Sequence, residues 1–229
     1  MSAFFYYKKR LLSIFAVAFC GLIIAISCVY AGLLSYRQEV VVQKSFYFLI
    51  AESEHVQVGT EIAQLDGGAG YPLLVGNDYK VAYAVYFDKE QGERAEKQLC
   101  QKGTNAQLTT CFVQSLVFTG KREQACMASV CSAMDNLYAC IDILQQEIER
   151  LSRGATQQSS KSILEILKTQ FNAFANAYQS VYTAFAQICK ESADLISNSL
   201  NGIVYNKDLR YLLCFLCDSY VHLSQDFAI

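Results

Sequence analysis

The chain has 229 residues, 53% of them apolar and only 17% charged, with 12 glycines and a single proline. That composition excludes a disordered, collagen-like or low-complexity protein and requires a substantial interior. Nineteen basic and 21 acidic side chains leave a net charge of −2, so no global basic field draws the chain to nucleic acid.

Lys8, Lys9 and Arg10 precede 24 uncharged, mostly apolar residues from Leu11 to Leu34, a run that at helical rise spans roughly 36 Å and crosses a bilayer. The expectation is a stub (1–10) followed by a single-pass transmembrane helix (11–34). The basic cluster outnumbers Arg37 and Lys44 on the other side, which puts the N-terminus in the cytoplasm and the bulk of the chain outside it. A cleaved signal is the competing expectation, because Ala25-Ile26-Ser27-Cys28 is a loose lipobox that would place a lipid on Cys28. Against it, apolar residues continue through Leu34. Gly21, Ala25, Cys28 and Gly32 form a small-residue stripe that would permit close helix contact. Net charge by segment is +3 over 1–43, −3 over 44–115 and −2 over 116–229, with neither a polybasic arm nor a Pro, Ser or Gly-rich linker.

From 44 to 115 the pattern is strand-like, with short aromatic and branched runs punctuated by glycine. Phe46 to Ala51 reads as a strand, Glu54 to Leu65 as a short helix, Tyr71 to Val75 as a second strand and Tyr79 to Phe87 as a third. Asp88 can cap a helix that Gly103 stops near Lys102. Ala106 to Val113 makes the last strand. The order βαββαβ is that of a ferredoxin-like sandwich with both helices on one face of a four-stranded sheet. Alternation assigns Phe46, Phe48, Ile50, Val81, Tyr83 and Val85 to the helix-covered face, and Tyr47, Leu49, Ala51, Lys80, Ala82, Ala84 and Tyr86 to the opposite one.

The stretch Tyr79-Lys80-Val81-Ala82-Tyr83-Ala84-Val85-Tyr86, with Gly92, Leu99, Gly103 and Ala106 after it, resembles the second half of a SPOR (sporulation-related repeat) module. Ala84 stands where that family usually has glycine and Val85 where it often has proline. The resemblance implies an envelope module that binds peptidoglycan glycan strands on the sheet face opposite the helices, without a catalytic centre. It makes Tyr47, Lys80 and Tyr86 the candidate glycan-binding residues, through stacking and hydrogen bonds. The same face carries Leu49 and three alanines, as a face packed against another element would.

Beyond 116, Met127, Val130, Met134, Leu137, Ile141, Leu144, Ile148 and Leu151 recur at intervals of three and four, the seam of a long helix. After a break at 152–160 the pattern resumes from Leu164 to Leu195 and ends before Asn201-Gly202, a helix that could reach roughly 60 Å. A third stripe runs from Leu209 to Phe227. Three stripes joined by short breaks predict an antiparallel helical bundle over 116–229, paired internally or with a second copy.

Chemistry is sparse. Cys214-Phe215-Leu216-Cys217 is a CxxC inside an apolar helical run with no second pair, and reads as buried thiols. A redox pair or metal half-site is the competing expectation there; Cys126, Cys131 and Cys140 have no zinc-ligand spacing. His55 and His222 have no nucleophile motif beside them, and Gly67-Gly68-Ala69-Gly70 lacks the lysine of a phosphate loop, so it reads as a turn. The sequence therefore predicts no catalytic residue, metal or cofactor. It predicts an α+β, membrane-anchored envelope protein whose SPOR-like module binds peptidoglycan, in sporulation or cell division. The rival is a membrane-anchored assembly protein whose sheet is structural and whose helices recruit a partner; it requires the face of Tyr47, Lys80 and Tyr86 to be covered.

Overall fold

The computed structural model describes residues 37–51 and 55–227. The expected transmembrane helix, its small-residue stripe and Cys28 lie outside the described residues. Among the described residues the fold is mixed α+β, with a four-stranded antiparallel sheet and six helices. In chain order these are β1 (Arg37–Ala51), α1 (Val56–Leu65), β2 (Tyr71–Val75), β3 (Asp78–Tyr86), α2 (Lys89–Gln101), β4 (Ala106–Thr119), α3 (Lys121–Ser152), α4 (Gln157–Tyr178), α5 (Thr183–Leu200) and α6 (Asn206–Gln225). The strands lie in the order β2-β3-β1-β4, and each neighbouring pair is antiparallel.

Local chemistry sets several of these boundaries. Asp88 caps α2 by accepting the Gln91 N–H at 2.8 Å, and Gly103 leaves the helix at φ 91°, a conformation open to glycine at little cost. The 67–70 turn is built the same way. Gly70 has φ 63°, and a Cβ there would meet the Thr60 carbonyl oxygen at 2.7 Å.

Two expected strands are longer than their sequence patterns. β1 begins at Arg37 rather than Phe46, and β4 runs on to Thr119, because the two continue past the sheet as a ribbon pairing Arg37 with Thr119 through Val41 with Ser115. A bulge at Val42 and Gln43, with Gln43 at φ 47°, separates ribbon from sheet and hides the period of two. The expected domain boundary at 115/116 thus falls inside β4.

The long second helix of the expected bundle is two helices. The chain leaves α4 at Tyr178, whose carbonyl accepts the N–H groups of Val181 and Tyr182, and returns as α5. Neither glycine nor proline marks the break. It is held by aromatic packing: Tyr178 lies edge-on to Phe185 at 4.9 Å, and Tyr182 contacts both Phe185 and Phe227. Folding back buries each half-seam on the other, which a straight rod would leave in water.

Both faces of the sheet are covered. Leu49, Ala51, Val81, Tyr83 and Ala106 pack under the short helices α1 and α2. Phe46, Phe48, Ile50, Ala82, Val85 and Val113 join Leu137, Leu144, Leu209, Leu213 and Tyr220 of the C-terminal helices in a larger core. At roughly 1.5–3 kcal/mol per buried large apolar side chain, this second layer is a main source of stability. The expected face assignment is corrected in two respects. Phe46, Phe48 and Ile50 lie under the bundle, not the short helices, since alternation says which residues share a face and not what covers it. In β3 the pairs Leu49 with Ala84 and Ile50 with Ala82 leave Tyr83 as an extra residue, so Val85 follows Ala82 to the bundle side while Val81 and Tyr83 face the short helices.

Candidate functional site

The three residues singled out from sequence do not share one face. Tyr47 and Tyr86 are direct register partners across β1 and β3, on the side of the short helices. Lys80 pairs with Leu73, which belongs to the core under the bundle, so Lys80 lies on the opposite face. Tyr47, Lys80 and Tyr86 are all half-buried.

Around Tyr86 the molecule opens. β2 pairs with β3 as far as Ala82, the Ala69 N–H donates to the Tyr83 carbonyl just beyond at 2.7 Å, and the end of β3 is flanked by two clefts. One, of about 240 Å³, lies toward the bundle and is lined by Val85, Gln91, Gln145, Ile148 and Glu149. The other, of about 170 Å³, lies toward the short helices and is lined by Leu49, Gly68, Tyr83, Leu99 and Lys102. Ala84, Tyr86 and Arg210 line both. Arg210 of α6 crosses between them, and its Nη1 donates to the Gly67 carbonyl at 3.2 Å. Burial raises the Tyr86 hydroxyl above its ordinary range against the opposing pull of Arg210, so it stays protonated and able to donate. Arg210, Gln91 and Gln145 escape sequence reasoning, since they lie on three helices with no local motif.

Across the second face, Tyr71 of β2 donates to Asp218 Oδ2 of α6 at 2.7 Å, and His222 Nε2 lies 3.4 Å from Oδ1. Burial raises the Asp218 carboxyl above the usual carboxylate range, partly offset by Tyr71 and then His222; burial, then Asp218, raises the tyrosine. This chain ties β2 to α6. Burial, then Asp218, raises the neighbouring Cys111 thiol, and burial raises Cys214 and Cys217 strongly; elsewhere in the bundle burial lifts Cys140 and Cys189 to about 12, so none of these supplies a thiolate near neutral pH. The eight cysteines of the described residues are free thiols, and no group of His, Cys, Asp and Glu among the described residues could hold a metal ion.

The helix α3 is long and apolar enough to cross a membrane by length and composition, but Val130, Met134, Leu137, Ile141 and Leu144 along it are buried in the folded core. The exposed apolar groups lie mainly elsewhere. On α1, Val58, Ile62 and Leu65 are 51, 48 and 86% exposed at the four-then-three spacing of one helical stripe, while Gly59 and Ala63 face the sheet. No family model, curated protein or solved structure matches the chain.

Proposed function

We propose that the chain is a non-enzymatic, membrane-anchored assembly module of the cell envelope. Residues 11–34 hold it on the bilayer with the N-terminus in the cytoplasm, and residues 37–227 act outside through their surface. The observation that carries this reading is the covering of both sheet faces within the chain's own cores: the sheet is a scaffold, and what remains for a partner is edge, cleft and exposed stripe. The exposed apolar stripe of α1 is the proposed recruiting surface, since the C-terminal seams are spent on internal packing.

A second reading keeps peptidoglycan as the ligand. The four-stranded antiparallel sheet in the order β2-β3-β1-β4 supports it, and the larger cleft beside Tyr86 pairs apolar lining with Gln91, Gln145 and Arg210, groups suited to a sugar. Its difficulty is physical: the sheet face such modules use lies under the bundle here.

One experiment separates the two. Full-length protein solubilised in detergent is sedimented with purified sacculi, and membranes from expressing cells are washed with high salt and then detergent. The assembly reading expects salt-resistant, detergent-released protein and no sacculus retention. Retention on sacculi that Tyr86→Ala abolishes would replace it with the second reading, and release of the protein by salt alone would sink the anchor.

A further inference from the structure

The two outer strands of the sheet are unequal. β2 is five residues long and carries Pro72, the single proline of the chain, both devices that blunt an edge. β4, at the other edge, is 14 residues long and contains neither a proline nor a charged side chain. A long neutral edge lacks the usual protection against strand addition.

The edge is closed at its ends and open in its middle. The Leu108 N–H donates to Glu96 Oε1 at 3.0 Å, the Val117 N–H to the Phe227 carbonyl at 2.7 Å, and the Thr119 N–H to the Glu123 carboxylate. Between these caps no further strand of the described residues lies against Thr109–Ser115. A groove of about 340 Å³ runs beside this stretch, lined by Phe112, Gln114 and Ser115 of β4, by Val221 and Ser224 of α6, and by Glu39 of β1, its one charged residue. Phe112, at the centre of the window, is 57% exposed.

We propose that this window pairs with the same window of a second copy, joining two sheets edge to edge about a twofold axis near Phe112. The inference rests on the assembly reading and names one of its partners. A twofold contact sets each residue near the axis against its own copy, so a charged edge would repel itself; this one is neutral throughout. Antiparallel pairing centred on Phe112 sets the two rings across from each other, a favourable cross-strand aromatic pair, and matches Thr110 to Gln114. The caps at Leu108 and Val117 stop the pairing on both sides, which fixes the register. Confinement of both copies to one membrane would raise their effective concentration.

The test uses the full-length protein in detergent micelles, with self-association followed by sedimentation and light scattering. The wild type should show a concentration-dependent dimer; Phe112→Lys should weaken it at least about tenfold by setting like charges across the axis, and Gln114→Lys, which sets a charge against Thr110 of the second copy, should weaken it by a smaller factor. Tyr79→Lys, at an exposed aromatic of the β2–β3 hairpin, should leave it unchanged. Circular dichroism verifies that the variants fold, and amide exchange over Thr109–Ser115 should be slower in the wild type than in Phe112→Lys. A wild type that stays monomeric up to about 100 µM overturns the proposal. So does a dimer that both lysine variants leave intact, which would place association elsewhere. Either result together with salt-resistant membrane retention and no sacculus binding would remove this pairing and leave the assembly reading standing.

Discussion

Glu147 is 1% exposed, with Ser160 Oγ donating to one carboxylate oxygen at 2.6 Å and Arg150 to the other at 2.9 Å. Arg150 is largely in solvent, where an ion pair contributes little, so the charged hydrogen bond to Ser160 carries most of the weight. Glu147→Ala should cost about 1.5–3 kcal/mol in denaturant unfolding, with Arg150→Ala much milder; equal losses would refute that ranking. Asp218 gives a pH signature. Its carboxyl titrates higher folded than unfolded, so the folded state binds the extra proton, and stability falls as pH rises from the ordinary carboxylate value through the raised one. Above that window the cost is constant, and below it the cost is absent. Asp218→Asn should remove this component from thermal melts recorded across the acidic range. The buried thiols Cys140, Cys189, Cys214 and Cys217 should resist alkylation in the native protein and react on unfolding, whereas exposed Cys100 should react first.

At the scale of elements, boundaries follow local chemistry where a side chain or a glycine enforces them and tertiary packing where none does. Gly70 is the first kind. Its positive φ and its approach to the Thr60 carbonyl leave no room for a Cβ, and Gly70→Ala should cost about 1–3 kcal/mol by loosening α1 from β2. Thermal unfolding checks it, and a neutral result would mean that the turn can rearrange. The break between α4 and α5 is the second kind, with Tyr182 packed against Phe185 and Phe227 and its hydroxyl donating to the Leu223 carbonyl at 3.4 Å. A periodic apolar stripe reads the same whether the helix is straight or folded back, so the hairpin was invisible in sequence.

For the whole molecule, the consequence of a shared core is cooperativity. The sheet and the C-terminal helices meet in one continuous apolar layer, so parting them exposes that layer on both halves and leaves the sheet only its smaller core under α1 and α2. Leu137, fully buried at that junction, should cost about 3–5 kcal/mol on replacement by alanine, and should shift helical circular dichroism and tyrosine fluorescence together along one unfolding curve. Separate transitions, or a stably folded fragment of residues 37–120, would show that sheet and bundle are independent units.

What the sequence determined by itself was the set of elements whose signals are local: the α+β composition, the βαββαβ order with Asp88 and Gly103 bounding α2, the apolar seams of the bundle and the glycine turn. It also paired residues correctly along β1, since Phe46, Phe48 and Ile50 do share a face. Long-range packing places this face under the bundle, makes Tyr83 an extra residue that shifts Val85 across the sheet, and parts Lys80 from Tyr47 and Tyr86. The clefts bounded by Tyr86 and Arg210, and the contrast between the two sheet edges, were likewise decided only by the tertiary structure. The reason is physical: capping and periodicity act over a few residues, whereas what covers a face, or leaves an edge open, depends on groups more than a hundred residues away in the chain.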